Sequence, residues 1–342
     1  MNKNKIKAMV RPAMKNAVSL RLRVEKALLK RKKLAEYNPA LEQDMDIIVH
    51  NRMSGDIPER VWMFWAGSTL PKEIQSFVDK VSRENPEWSV TVVNDANLSH
   101  YLPELVFTRQ DMLVAHRSDV IRLELLYKYG GVWMDASVIL NRTLDEFLAV
   151  NANQRYDMVA FYRDVSTVDR RYPVIETWFM AAPKKNSFIA SWLSYFRPVL
   201  TLGAEEMFKQ LQQLPNYQEL VQKITDPQYL ILNITQQQAL REYNDYNFYL
   251  RKCEANALYY QRLVSWDAVQ LSRMLMIDRL PDVLPPIVKL TGLDRKYLST
   301  NLRYGAVNKD SLLGQVLFAD APDSLPNVPD MPMPGMSGSA GA

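Results

Sequence analysis

One stretch decides the fold: His116-Arg-Ser-Asp-Val-Ile-Arg-Leu-Glu-Leu-Leu-Tyr-Lys-Tyr-Gly-Gly-Val-Trp-Met-Asp-Ala-Ser-Val-Ile-Leu140. Ile121, Leu125 and Leu126 recur at helical spacing, so its first half reads as a helix with one buried face. Ser118 is a fair N-cap, with Asp119 and Glu124 toward the positive end of the helix dipole. Gly130-Gly131 follow Tyr129 directly and permit the left-handed backbone that stops a helix. Val132-Trp133-Met134 is then a hydrophobic run, the mark of a buried strand. Asp135 closes it, where strands of open α/β sheets present ligand-binding groups. Three charged side chains, Asp119, Arg122 and Asp135, are thereby set against buried surface. Asp119 and Arg122 are three apart and share a helical face.

Upstream, the compact domain begins near Asn38. Arg60-Val-Trp-Met-Phe-Trp65 is a hydrophobic strand that ends at Ala66-Gly67-Ser68. Leu70-Pro71 leads into a helix with Ile74, Phe77, Val78 and Val81 at helical spacing, and Asn85-Pro86 breaks it. Trp88 to Val93 is the next strand. Strand, helix and strand in that order make a parallel crossover unit, so the class is α/β. Two strand ends carry candidate chemistry. Phe64-Trp65-Ala66 places an indole beside a flexible glycine, where it either stacks on a nucleobase or simply completes the core. Asp135-Ala136-Ser137 offers a carboxylate and a hydroxyl, which either hold a hard cation or cap a turn.

Downstream, Thr143 caps a short helix with Asp145 and Glu146 in its first turn. Asp157 to Tyr162 and Thr177 to Ala182 are strands, separated by a charged loop from Arg163 to Tyr172. Asn186 caps a helix carrying Phe188, Ile189, Trp192 and Tyr195. From about Thr201 to Ile287 the pattern is helical and aromatic, with Tyr229 to Leu232 a strand or buried segment. Tyr243, Tyr246, Tyr249, Tyr259 and Tyr260 offer either a stacking surface for a ligand or packing. Ser265-Trp266-Asp267 and Lys289-Leu290-Thr291 are the later groups placed for a diphosphate.

The chain has 342 residues, 47% of them hydrophobic, enough for one large core or two modest ones. Cys253 is its single cysteine, so no internal disulfide forms and a reducing compartment, the cytoplasm, is expected. No apolar run approaches the roughly 18 residues of a membrane span, and no signal-peptide core follows the basic N-terminus. The net charge of +4 is uneven. Residues 1–34 hold twelve Lys or Arg against Glu25, which leaves 30 basic and 37 acidic residues for the remainder. The cations alternate with apolar residues in a loosely helical pattern that Pro12 interrupts or begins. Such an arm either meets an anionic membrane surface, peripherally, or packs on the domain or a partner. It contains no aromatic residue for base stacking, which argues against nucleic acid. The division is a basic helical arm over 1–36, the α/β domain over 37–320, and a Pro-, Gly- and Met-rich tail over 321–342 expected to be disordered.

Three segments together resemble a known family: Trp62-Met-Phe-Trp-Ala-Gly67, Ser118 to Ser137, and Ile175-Glu-Thr-Trp-Phe-Met-Ala-Ala-Pro183. From Ile57 to Leu140, and more loosely to about Leu193, the chain resembles the sugar transferases with a DxD motif, closest to their capsular polysaccharide synthesis branch. The resemblance implies a GT-A fold with a mixed central sheet, here with helical additions at both ends. It implies a UDP-sugar donor and a glycan or lipid-linked oligosaccharide acceptor, with retention at the anomeric carbon. Trp65, with Phe64 and Ala66, would meet the uracil. Asp119 and Arg122 would meet the ribose and sugar, and Asp135 the metal (Mn²⁺ or Mg²⁺) and diphosphate. Glu176 and Thr177 would face the reacting sugar, and Lys289 the phosphates. The chain departs from the family at its motif: Asp-x-Asp is Asp135-Ala136-Ser137, so Ser137 stands where the second acid would ligate the metal. That loss motivates an alternative, a non-catalytic nucleotide-sugar-binding or assembly component.

Overall fold

The computed structural model describes residues 3–28 and 32–319, with side chains from residue 11 onward. The tail expected to be disordered lies outside the described residues. In chain order the main elements are α1 (Lys3–Leu28), β1 (Met45–Ile48), β2 (Arg60–Phe64), α2 (Lys72–Glu84), β3 (Ser89–Val93), α3 (Val114–Tyr129), β4 (Gly131–Met134) and β5 (Val138–Leu140). They continue with β6 (Met158–Tyr162), β7 (Ile175–Ala182), α4 (Ser187–Phe196), α5 (Ile231–Glu242), β8 (Asn247–Lys252), β9 (Ile287–Lys289) and α6 (Leu298–Arg303).

Seven strands form one mixed sheet in the order β1-β8-β6-β7-β4-β2-β3. β2 pairs parallel with both β3 and β4, as the crossover reading requires, while β7 runs antiparallel between β4 and β6. Alternation along each strand sends side chains to opposite faces. Val61, Met63, Val132 and Met134 enter one core, and Trp62, Phe64 and Trp133 the other. Helix α2 covers the first face and helices α3, α4 and α5 the second. Both faces are therefore buried, which is why these strands read as continuous apolar runs. The expected α/β class with a mixed central sheet holds.

The deciding stretch folds as helix, turn and strand, with one change. Helix α3 begins five residues early, at Val114, and Leu113 caps it without a side-chain bond. Ser118 is thus inside the helix rather than its cap, and its hydroxyl accepts from Arg122. Gly130 and Gly131 take φ of 66° and 100°. A Cβ on Gly131 would sit 2.5 Å from the carbonyl oxygen of Arg60, so the glycine lets β4 close against β2.

Other expectations need correction. Helix α1 runs through Pro12 without a break. Of the two readings of Tyr229 to Leu232, the strand fails, because the segment leads into α5, while the buried segment holds for Ile231 and Leu232; the Leu232 carbonyl accepts from the Trp192 indole at 3.0 Å. A buried apolar run that short has no period to separate strand from helix. Residues 247–252, read as helical, are strand β8, which carries the edge strand β1 and pairs with β6. Tyr246 stacks on Phe248 at 4.5 Å, and Tyr259 and Tyr260 are buried, so these rings are packing.

The arm is part of the molecule. Leu22 is 1% exposed, and the buried Ser19 hydroxyl donates to Asn301 of α6 at 2.6 Å. Lys26 donates to the carbonyls of Gly305 and Val307. Among the described residues no helix is long and apolar enough to cross a membrane.

Candidate active site

The carboxyl ends of β2 and β4, the middle of α3 and the start of β7 converge on a cavity of about 730 Å³. Every residue that the resemblance assigned to the site lines it: Phe64, Trp65, Ala66, Asp119, Arg122, Asp135, Ser137, Glu176, Thr177 and Lys289. Of Ser265-Trp266-Asp267 only Trp266 does; Asp267 instead caps the helix that follows it.

Arg122 is the hub. One turn of α3 brings its guanidinium 2.7 Å from Asp119, and it reaches 3.5 Å from Asp135. It also donates to the Thr177 hydroxyl at the head of β7 and lies 5.0 Å above the Trp133 ring. Both Asp119 and Arg122 are buried, at 9% and 6% exposure, so this guanidinium has few rotamers left and is fixed before any ligand arrives. Burial pushes the Asp119 carboxyl above the ordinary aspartate value, with Arg122 opposing.

Asp135 sits at the turn between β4 and β5. Its backbone N–H donates to the Trp178 carbonyl at 2.9 Å, and the Trp133 indole donates to its Oδ1 at 3.2 Å. The second contact comes from β9. That strand pairs antiparallel with β5, with Lys289 opposite Val138, and delivers Lys289 Nζ to 2.5 Å from Asp135 Oδ2. Burial pulls the Asp135 carboxyl upward, but Lys289 and then Arg122 outweigh it and hold it below the ordinary range. Ser137 is 3% exposed, and its hydroxyl donates to the Leu290 carbonyl at 2.9 Å.

Across the cavity stands a second charged group. Arg163, from the loop after β6, lies 3.9 Å from Glu176 and 3.3 Å from Glu254, with its guanidinium 4.9 Å from the Trp266 ring. Glu254 also accepts the backbone N–H groups of Asp164 and Val165, clamping that loop. Burial pushes the Glu176 carboxyl up; Arg163 opposes and Glu254 adds to the rise. Trp65, half-buried where β2 ends, has its ring 5.6 Å from the Arg295 guanidinium.

Arg163, Glu254 and Arg295 are site residues that sequence reading did not assign. Arg163 was legible only as part of a charged loop. Arg295 follows Lys289 by six residues, and nothing in that spacing shows that the chain turns it back onto Trp65.

The fit of a divalent cation to this donor set is poor. Asp135 is a single carboxylate with a cation facing each oxygen, and the Ser137 hydroxyl is buried against the Leu290 carbonyl. Among the described residues no three His, Cys, Asp or Glu gather as ligands.

Residues 13–198 match the model of a family described as capsular polysaccharide synthesis protein, and the chain belongs to that family. The matched span contains β1 to β7 and every site residue named above except Lys289, Glu254, Trp266 and Arg295. Among characterised relatives, it is 30% identical to the O-glycosyltransferase braB of Annulohypoxylon truncatum, over 41% of this chain and 37% of that protein. It is also 30% identical to the glycosyltransferase afumC of Aspergillus fumigatus, over 44% of this chain and 43% of the relative. The alignments thus span less than half of each relative's length. Among solved structures, the PaToxG glycosyltransferase is similar at 12% identity and a TM-score of 0.33, over 88% of this chain and 93% of that one.

Proposed function

We propose that the protein is a glycosyltransferase that moves a sugar from a UDP-sugar to a glycan or lipid-linked acceptor in the synthesis of capsular or cell-surface polysaccharide. The observation that carries this reading is the convergence of an aromatic platform, a cationic cluster and a carboxylate pair on one cavity. Trp65 would take the uracil face, since a half-buried indole at a strand end can stack on any base with its free face. Arg122 and Lys289 stand where a diphosphate would lie, and fixed cations stabilise a leaving phosphate most when they need not reorganise during the reaction. Glu176 and Thr177 then face the sugar, with Arg163 and Trp266 beyond them toward an acceptor.

In the retaining route, the bond from the anomeric carbon to the β-phosphate oxygen breaks with its electron pair left on phosphate. The acceptor hydroxyl forms the new bond from the same face and passes its proton to that leaving oxygen. Asp119 holds Arg122, and Asp135 holds Lys289, through this charge development. The test is turnover of a UDP-sugar panel with lipid-linked and free glycan acceptors, with the product anomer assigned by NMR. No response to any UDP-sugar would sink the reading.

A second reading, a non-catalytic nucleotide-sugar-binding component, draws on the pairing of Asp135 with Lys289. It expects UDP to stabilise the fold while no acceptor gives turnover.

For the arm, the reading is a cytoplasmic protein seated at the inner face of an anionic membrane. Leu22 and Ser19 turn α1 toward the domain, while Leu20, Val24 and Leu28 are 53%, 54% and 77% exposed on its other side, beside Arg21 and Arg23. An apolar stripe flanked by cations is what an interfacial helix buries in a headgroup layer.

A further inference from the structure

A nucleotide diphosphate needs its charge offset, and three observations say how this cavity does it. The first is the grip on Lys289. Its ammonium lies 2.5 Å from Asp135, its residue is 8% exposed, and the β5–β9 ladder fixes its backbone opposite the motif. A metal at Asp135 would have to displace that ammonium and leave it unpaired in a buried site, which is costly. The second is Ser137. Where a second acid would ligate, the hydroxyl is tied to Leu290, and the Leu290 N–H returns to the Ser137 carbonyl at 3.3 Å, so the motif and β9 are laced together. The third is Arg295. It lines the cavity against Trp65, and its Nε is buried without a hydrogen-bond partner. Arg122 Nε is in the same condition. Arg122 and Arg295 both line this cavity, and two guanidinium groups in one lining suit a ligand rich in anionic oxygens.

Resting on the UDP-sugar reading, we infer that Lys289 and Arg295, together with Arg122, neutralise the donor's diphosphate in place of a divalent cation. Asp135 then serves as the counter-ion that keeps Lys289 in position between turnovers. Arg295 stands beside the indole that meets the base, and its guanidinium is the cation left to pair with the adjoining phosphate. The substitution of Ser for the second Asp follows from this arrangement, because a second carboxylate at residue 137 would repel the diphosphate with no metal to bridge them.

The experiment is calorimetric titration of the full chain with UDP and, separately, with uridine, in EDTA and then with Mn²⁺ restored. UDP binding in EDTA within about twofold of that in Mn²⁺ is expected. Lys289→Met and Arg295→Met should each weaken UDP binding by roughly tenfold, the scale of one lost charge-assisted hydrogen bond, and leave uridine binding unchanged. Arg295→Lys should restore part of the loss, and intact uridine binding reports that each variant is folded. UDP binding that appears only with Mn²⁺, or variants that bind UDP as the parent does, would overturn the inference while leaving the glycosyltransferase reading standing. No UDP binding under either condition would remove both.

Discussion

The ammonium of Lys289 and the carboxylate of Asp135 meet at 2.5 Å across 154 residues of chain. Their side chains are 10% and 29% exposed, so the pair is neither a surface ion pair nor a fully dry one. Removing one partner of a buried pair costs about 3–5 kcal/mol, and partial exposure cuts that. Asp135→Asn should therefore cost roughly 1–2 kcal/mol by urea denaturation, and adding Lys289→Met should recover part of it. The sign with pH follows from the lowered Asp135 carboxyl. The contribution is present above an ordinary aspartate's pKa and is lost as pH falls through the lower folded value. A double-mutant coupling under about 0.5 kcal/mol at neutral pH would mean the pair does not form in solution.

Glu176 behaves in the opposite sense. Burial raises its carboxyl above the ordinary glutamate value, so the fold favours the protonated form. Its contribution to stability is present below the unfolded pKa and is lost as pH rises through the raised one. Glu176→Gln mimics the protonated state. The melting-temperature difference, variant minus parent, should be near zero at low pH, grow across the window between the two values, and level off above it. Turnover in the variant should fall at every pH. A difference that shrinks with rising pH would show that Glu176 is stabilised as a carboxylate instead.

Much of this was legible in the sequence where local rules act alone. The Gly130-Gly131 stop, the β2–α2–β3 crossover and the i,i+3 pairing of Asp119 with Arg122 all follow from spacing within a few turns. The misses share one cause: the deciding partner is remote. Residues 247–252 are a strand because β1 and β6 flank them, and Met45, 205 residues before Leu250, is invisible from Leu250. Ser118 lost its capping role because His116 is buried against the Tyr229 carbonyl, which extends the helix past it. Arg295 reaches Trp65 only after the chain has built β9.

Trp65 supports a sharper expectation. Stacking of a base on an aromatic ring is worth about 1–3 kcal/mol, so Trp65→Ala should weaken both UDP and uridine binding by roughly 5- to 150-fold. Trp65→Phe should retain most of the affinity. The ring also packs partly on the core, so the alanine variant will lose some stability as well, and affinity must be measured well below its melting temperature. Equal losses for ribose 5-phosphate and UDP would refute the stacking role, because ribose 5-phosphate has no base.

The arm tests the membrane reading without disturbing the site. Leu20 and Val24 are more than half exposed, so Leu20→Asp with Val24→Asp removes apolar surface that the fold does not use, and the melting temperature should hold. Burying either side chain in a headgroup layer would contribute roughly 1.5–3 kcal/mol; their joint loss should reduce sedimentation with phosphatidylglycerol vesicles by well over tenfold. Arg21→Glu with Arg23→Glu should weaken binding to the same vesicles and flatten its loss with salt, since charge near an anionic surface contributes about 1 kcal/mol per cation. Neither pair touches the cavity, so UDP affinity should be unchanged. The two mechanisms separate by vesicle type: the aspartates should act on neutral phosphatidylcholine vesicles too, whereas the glutamates should act only on anionic ones. If the aspartate variant sediments as the parent does, the outward face of α1 is not lying in a membrane, and its exposed leucines await another explanation.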